Sequence, residues 1–108
     1  MSAPSSAAGV IYEVDVDVDA AIADDYRAWL GPHTREILAL PGFVDVRIHT
    51  QLEPPAAAGR VRLSVRYRVD SLASLEAYVR EHAPRLRADA VARFGERFSA
   101  TRRVLREE

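Results

Sequence analysis

The chain has 108 residues, of which 48% are hydrophobic and 29% are charged, and its formal net charge is −1. This length suits one domain, and no apolar run approaches the roughly 20 residues that a membrane-spanning helix requires. Cysteine is absent, which excludes disulfides, thiol catalysis and cysteine-held metal clusters. All fifteen basic residues are arginine, but sixteen acids balance them, so we expect no nucleic-acid partner.

The first eight residues contain neither a basic start nor an apolar core. They do not resemble a secretory signal, so we expect a cytoplasmic protein without a membrane partner. Residues 1–8 are predicted to be a disordered leader. Residues 9–108 are predicted to form one domain.

A strict alternation of apolar and acidic side chains over residues 10–18 predicts the first strand. The apolar face carries Tyr12, Val14, Val16 and Val18, and the polar face carries Glu13, Asp15 and Asp17. Successive side chains of a strand point to opposite faces of its sheet. One face is therefore predicted to enter the core, and the other requires basic partners.

A helical spacing of apolar residues follows Asp19, which is a suitable N-cap. The apolar stripe comprises Ile22, Tyr26, Trp29, Leu30, Ile37, Leu38 and Leu40. Gly31 and Pro32 interrupt this stripe, because proline removes a backbone donor and clashes with the preceding turn. We therefore expect a kinked helix or two short ones, closed by a turn at residues 40–43.

Two further strands are predicted over residues 43–52 and 60–69, joined by a flexible loop that contains two prolines. In the earlier of these strands the apolar face is expected to carry Val44, Val46, Ile48 and Leu52. The polar face of the later strand carries Arg60, Arg62, Ser64, Arg66 and Arg68. Both strands are thus predicted to have one dry and one polar face.

Asp70 and Ser71 are predicted to cap a second helix, and Pro84 begins a third helical piece that stops at Gly95. The second helix has an apolar stripe of Leu72, Leu75, Val79 and His82. A last strand is expected over residues 97–105. Arg102 and Arg103 disturb its alternation.

The element order β-α-β-β-α-β predicts an α+β fold, the ferredoxin-like sandwich. Its sheet is expected to be antiparallel in the order 4-1-3-2, with the helices on one face. The first strand then lies beside the third. Their acidic and arginine rows should form cross-strand ion pairs that cancel most of the charge.

The patterns that could indicate a metal site fail. The run Asp15-x-Asp17-x-Asp19 begins as a calcium loop does, but its sixth and twelfth positions are Ala20 and Tyr26 instead of glycine and glutamate. No two of the three histidines have a ligand-type spacing. We expect no metal and no cofactor.

His82 is the histidine that best fits a site. Its place on the apolar stripe predicts that it faces the interior, near a helix start where the dipole disfavours the charged imidazole. A neutral imidazole in a cleft can act as a base or contact a ligand, while a core-edge histidine bonded to a backbone carbonyl is the alternative. Trp29 is a candidate apolar wall, and core packing also explains it.

Several segments resemble a known family. They are residues 11–14 (Ile-Tyr-Glu-Val), 40–43 (Leu-Pro-Gly-Phe), 65–67 (Val-Arg-Tyr), 81–89 (Glu-His-Ala-Pro-Arg-Leu-Arg-Ala-Asp) and 93–98 (Arg-Phe-Gly-Glu-Arg-Phe). They make the chain similar to a bacterial family of domains of unknown function, of the DUF4286 type, grouped with the dimeric α/β barrels. The resemblance implies a ferredoxin-like protomer and a homodimer whose sheets face each other, with relatives that include cofactor-free monooxygenases and heme-degrading enzymes.

The resulting interpretation is a homodimeric protein that binds a small molecule. Its expected anion contacts are Arg62 and Arg66, its polar contact or base is His82, and its apolar wall is Trp29. One alternative is a cofactor-independent monooxygenase acting on a small aromatic substrate, which requires a pocket large enough for one ring. Another is a structural or regulatory dimerisation module, which predicts no cavity.

Overall fold

The computed structural model describes residues 9–108, so the predicted leader lies outside the described residues. The elements are β1 (Val10–Asp19), α1 (Ala23–Leu38), β2 (Phe43–Thr50), β3 (Arg60–Val69), α2 (Leu72–Glu81), α3 (Ala83–Phe94) and β4 (Phe98–Arg106). Short 3-10 turns at Ala20–Ile22 and Gly95–Arg97 precede α1 and β4. No helix within residues 9–108 is both long enough and apolar enough to cross a bilayer.

The four strands form one antiparallel sheet in the order β2-β3-β1-β4, which confirms the predicted ferredoxin-like topology. In its register Tyr12 lies opposite Tyr67 on the face that the helices cover, and Glu13 lies opposite Arg66 on the other face. We call this other side the open face. It carries Glu13, Asp15, Asp17, Asp45, Arg47, His49, Arg62, Ser64, Arg66, Arg68, Thr101 and Arg103.

The core lies between the helices and the covered face of the sheet. Its largest fully buried side chains are Val16, Val18, Val65 and Val69 from the strands and Ile37, Leu75 and Leu86 from the helices. Burying a side chain of this size contributes about 1.5–3 kcal/mol. The apolar side chains that alternate along β1 therefore pack against the helices and help to hold the sheet on them.

The helix α1 is continuous from Ala23 to Leu38 and passes through Pro32, so it is one helix and not two. Tyr26 and Leu30 are buried before the proline and Ile37 after it. These contacts hold both halves of the helix on the sheet, and tertiary packing of this kind outweighs the local cost of a proline. The predicted N-cap, Asp19, caps the preceding 3-10 turn by accepting a hydrogen bond from the Ala21 amide at 2.9 Å.

The position of His82 differs from the prediction, which placed it on the apolar stripe of the second helix. The helix α2 ends at Glu81, and His82 has φ −124° and ψ −35° at the junction with α3. Because the chain changes direction there to begin the helix that contains Pro84, the periodicity of α2 does not extend to His82. It is half-buried in a groove beside Leu40 and Tyr78, and it is not part of the buried core.

Two predicted apolar faces are also more exposed than expected. Leu72 and Val79 of α2 are 43% and 40% exposed, while Leu75 and Tyr78 are buried. In β2, a register shift between Phe43 and Asp45 leaves Val44 exposed. Apolar periodicity alone therefore does not determine burial at these positions.

Candidate functional site

The helices and the sheet surround a cavity of about 320 Å³ that is partly open to solvent. An apolar cavity of about 150 Å³ can hold benzene, so this space accommodates an aromatic ring with substituents. Its lining includes Tyr12, Val14, Val16, Tyr26, Trp29, Leu30, His33, Val65, Tyr67, Tyr78, Leu86, Arg87, Ala90, Ser99, Ala100 and Arg102. The lining is thus mostly apolar and aromatic, with a few polar groups.

Tyrosine rings form one wall of the cavity. The ring of Tyr12 lies 5.9 Å from that of Tyr67 in a stacked arrangement and 6.0 Å from that of Tyr78 in an edge-on one. Burial raises the pKa of Tyr78 and of Tyr26 to about 12, and it raises the pKa of Tyr67 further. These three phenols therefore stay protonated near neutral pH and can donate hydrogen bonds to a ligand.

A histidine of α1 also lines the cavity. Because His33 is four residues after Trp29 on α1, the two side chains lie on the same side of the helix, and their rings stack with centroids 4.2 Å apart. The indole Nε1 donates to Asp89 Oδ2 at 3.4 Å. Burial lowers the pKa of His33, although the charges of Glu36 and Asp89 act in the opposite direction. A lowered pKa favours the neutral imidazole at pH 7.

Two arginines complete the polar lining. Arg87 extends from α3 and its Nη2 donates to the Tyr12 hydroxyl at 3.1 Å. Arg102 lies on β4 opposite Val14, on the side of the sheet that faces the helices. The lining contains no aspartate or glutamate. The cavity therefore combines an apolar interior with positive charge from two elements.

The four residues selected from the sequence do not lie together. Trp29 lines the cavity. Arg62 and Arg66 lie on the open face, 3.8 Å from Asp17 and 3.0 Å from Glu13 respectively. His82 lies in the separate groove beside α2. The two-residue period of β3 is the reason for this separation, because it points these arginines away from the side on which Tyr67 faces the cavity.

His33, Arg87 and Arg102 line the cavity, although none of them was predicted from the sequence as a site residue. A signal was present for Arg102, since it lies between Ala100 and Val104 on the face of β4 that also carries Phe98. An arginine at such a position breaks the local pattern, and breaks of this kind are where functional residues are expected. For His33 the signal was its four-residue spacing from Trp29.

The open face contains a buried ion cluster. Glu13 is only 2% exposed, and its carboxylate lies 3.0 Å from a guanidinium nitrogen of Arg66 and of Arg103. The predicted pairing of the acidic row with the arginine row is therefore observed for Glu13 and Asp17. Among the described residues, the buried side-chain atoms without a hydrogen-bond partner are Asp45 Oδ1, Arg62 Nε and Ser64 Oγ, which all lie on the open face.

Within residues 9–108, no group of three or more histidine, aspartate or glutamate side chains is arranged to hold a metal ion. The polar groups of the cavity are instead arginine, histidine, tyrosine and serine side chains. This set can bind and orient an organic molecule by hydrogen bonds and charge.

Solved structures share the fold at low sequence identity. A conserved protein from Methanosarcina mazei Go1 has a TM-score of 0.72 at 13% identity, covering 96% of this chain and 97% of that chain. A candidate antibiotic biosynthesis monooxygenase from Deinococcus radiodurans has a TM-score of 0.65 at 15% identity, covering 92% and 90%. A dimeric ferredoxin-like protein of unknown function from Thermobifida fusca has a TM-score of 0.54 at 19% identity, covering 90% and 92%.

At such identities the likeness shows the fold alone, and one fold hosts many functions. The comparison with curated proteins yields no match. The comparison with protein families gives a match over almost the whole sequence. Residues 9–108 match the family described as a domain of unknown function (DUF4286), and the chain belongs to that family.

Proposed function

We propose that the protein binds a small, largely apolar molecule in the cavity between its helices and its sheet. The observation that carries this proposal is the cavity of about 320 Å³ itself. Ligand sites in proteins are typically clefts or cavities of roughly 300–1,000 Å³. A space of this size, lined by aromatic rings and a few polar groups, has the character of a small-molecule site.

The cavity also favours this reading over a dimerisation module without a ligand, since that alternative requires no cavity. In the proposed site Trp29 has the role predicted from the sequence, that of an apolar wall. The protonated phenol of Tyr78 supplies a hydrogen-bond donor. Arg62 and Arg66 are engaged with acids on the open face, so we assign the polar contacts of the ligand to other residues.

Uptake of a neutral fluorescent probe tests the proposal. Trp29 is the single tryptophan of the chain, so energy transfer from it to N-phenyl-1-naphthylamine reports binding near the cavity. We expect saturable transfer in the wild-type protein. The substitutions Ala100→Phe and Ala90→Phe place a ring inside the cavity and should weaken uptake at least about tenfold.

The matched control is Ala88→Phe, which adds the same ring at an exposed position of α3 outside the lining. This variant should take up the probe as the wild type does. Circular dichroism confirms that each variant is folded. Absence of saturable uptake by the wild type, or equal uptake by a folded Ala100→Phe variant, would show that the cavity is not the binding site.

We also propose that the protein forms a homodimer through the open face, as the dimeric description of the Thermobifida fusca protein suggests. The face carries both signs of charge, so a two-fold partner can offer acids to arginines and the reverse. A second copy would thus cover this face with complementary charge.

One observation favours a second candidate function, a cofactor-independent monooxygenase acting on a small aromatic substrate. His33 lines the cavity with a lowered pKa, so its neutral imidazole can accept the proton of a phenolic substrate. The phenolate then reacts with O₂, which is the oxidant: one oxygen atom enters the ring as a carbonyl to give a hydroxynaphthoquinone, and the other leaves as water with two hydrogens from the substrate. An oxygen electrode tests this with dihydroxynaphthalenes: consumption of O₂ should exceed the uncatalysed rate and should fall in the His33→Phe variant.

A further inference from the structure

We propose that the cavity ligand is a small organic anion with an aromatic or otherwise apolar body, and that Arg87 and Arg102 jointly bind its anionic group. This inference rests on the proposed ligand-binding function and names the chemical class of the ligand. Two observations support it: both arginines line the cavity, and neither forms an ion pair with a carboxylate among the described residues.

The two guanidinium groups reach the cavity from opposite layers of the fold. Arg87 is half-buried on α3, and its Nη2 atom bonds to the Tyr12 hydroxyl at 3.1 Å. Arg102 enters from β4 on the covered side of the sheet and is itself exposed, so it lies where the cavity meets solvent. Burial raises the pKa of Tyr26, Tyr67 and Tyr78, and the charge of Arg102 acts in the opposite direction.

Neither arginine has a carboxylate partner among the described residues. The ion pairs within 4.0 Å include Arg62 and Arg66, which contact Asp17 and Glu13, but they do not include Arg87 or Arg102. The nearby acids are engaged elsewhere. Asp89 accepts a hydrogen bond from the Trp29 indole, and Glu36 accepts one from Arg85 at 2.9 Å.

Positive charge without a counter-ion at an apolar cavity favours an anion. The field of a guanidinium group is less screened beside low-dielectric walls, and its planar donors fit a carboxylate or phosphate in a bidentate arrangement. Protonated Tyr78 and the Tyr12 hydroxyl can add hydrogen bonds to the same oxygens. The carbon walls of Val14, Val16 and Leu30 then fit the apolar body of the molecule.

The volume of the cavity limits the size of the apolar part of the ligand. The cavity of about 320 Å³ is roughly twice the space of about 150 Å³ that holds one benzene ring. One or two fused rings therefore fit, with the anionic group at the open end beside Arg102. The chemistry is shared by carboxylates and phosphate monoesters, and the experiment separates these two classes.

Calorimetric titration with shape-matched probes tests the inference. Naphthalene-2-carboxylate and 2-naphthyl phosphate carry an anionic group, whereas naphthalene-2-methanol has a similar shape and no charge. We expect the wild-type protein to bind at least one of the anions about tenfold or more tighter than the alcohol, because a charge-assisted hydrogen bond is stronger than a neutral one. The tighter of the two anions identifies the class.

The variants Arg102→Gln and Arg87→Gln should each reduce anion affinity about tenfold or more and leave alcohol affinity unchanged. Arg106→Gln removes an exposed arginine from the same strand outside the cavity lining, and it should change neither affinity. Three outcomes would contradict the inference. Equal binding of anion and alcohol by the wild type would overturn the anion assignment while the proposed function stands. Anion selectivity that persists in both cavity variants would overturn the assignment of these two arginines. No binding of any probe would overturn the proposed function together with this inference.

Discussion

Glu13 is the charged side chain that the described chain buries most completely, with 2% of its surface exposed. Its partners are much more accessible, since the side chains of Arg66 and Arg103 are 52% and 59% exposed. The three residues are therefore unequally buried: the acid is shielded from water and the two arginines are not. Removing the acid leaves two arginines that water can solvate, whereas removing both arginines leaves a carboxylate buried without a counter-ion.

This asymmetry predicts that the double variant Arg66→Ala/Arg103→Ala is less stable than Glu13→Gln. We expect the double variant to lower the free energy of unfolding by about 3–5 kcal/mol and Glu13→Gln by about 1–2 kcal/mol. Urea unfolding at one protein concentration measures both. The control Arg80→Ala/Arg85→Ala removes two exposed arginines and should cost less than about 1 kcal/mol. A larger loss for Glu13→Gln than for the double variant would contradict this account.

His33 predicts a pH dependence. Its pKa is lowered in the folded state, mainly by burial and against the opposing charges of Glu36 and Asp89, so the unfolded chain binds more protons below about pH 6.5. The stabilisation that the neutral imidazole contributes is present above the unfolded pKa and is lost as the pH falls through the folded one. The melting temperature should thus fall between pH 7.5 and pH 5.

Replacement of His33 should reduce this fall. We expect the melting temperature of His33→Gln to decrease less between pH 7.5 and pH 5 than that of the wild type, as differential scanning calorimetry can measure. The control is His82→Gln, because His82 lies in the groove beside α2, outside both the cavity lining and the open face. An identical decrease in the wild type and in His33→Gln would show that His33 is not responsible.

At the scale of elements, the turn between α1 and β2 is held against the start of α2. The Gly42 carbonyl accepts a hydrogen bond from the Asp70 amide at 2.8 Å, and Gly42 has φ +88°. A Cβ atom at this position would overlap the Cβ of Ser74 and approach Asp70 Oδ1 to 2.9 Å. Glycine is therefore required here both by its backbone angle and by the close approach of α2.

Gly59 offers a matched comparison for this turn. It has φ +77°, but a Cβ atom there would meet nothing within 4 Å. We expect Gly59→Ala to cost about 1–2 kcal/mol from backbone strain alone. Gly42→Ala should cost about 1–3 kcal/mol more, because overlap with α2 is added. Chemical unfolding compares the two, and equal losses would show that the contact with α2 is relaxed without cost.

At the scale of the whole molecule, the chain is thin and broad. Its Cα extents are 51 × 30 × 18 Å, so a helix layer on one side of the sheet leaves the open face as a large fraction of the surface. Ser64 lies near the middle of that face, opposite His49 on β2 and Asp15 on β1. The proposed dimer buries this region.

The dimer predicts a mass of twice 12.0 kDa for the wild type at micromolar concentration. Ser64→Trp places a bulky ring at the centre of the open face and should give monomers. Ala88→Trp adds the same ring on the exposed side of α3 and should leave the dimer intact. Sedimentation velocity measures all three proteins. A monomeric wild type, or a dimeric Ser64→Trp variant, would contradict the proposed interface.

Much of the fold could be predicted from local patterns. The alternation in β1 and β3 predicted both faces of the sheet, and Ser71 caps α2 by accepting a hydrogen bond from the Ser74 amide at 3.1 Å. Short-range rules suffice here because a strand places successive residues on opposite faces whatever lies nearby. The predicted position of His82 failed at a helix junction, where the axis of the chain changes.

The sequence by itself determined the order of the elements, the strand order and the pairing of acids with arginines across β1 and β3. These features follow from hydrophobic period and chain connectivity, which are properties of neighbouring residues. Only the tertiary structure decided that Trp29, His33, Arg87 and Arg102 line one cavity while Arg62 and Arg66 lie on the other side of the sheet. The physical reason is that the cavity forms where α1 and α3 pack on the sheet beside β4, and contacts between residues so distant in sequence depend on how whole elements pack.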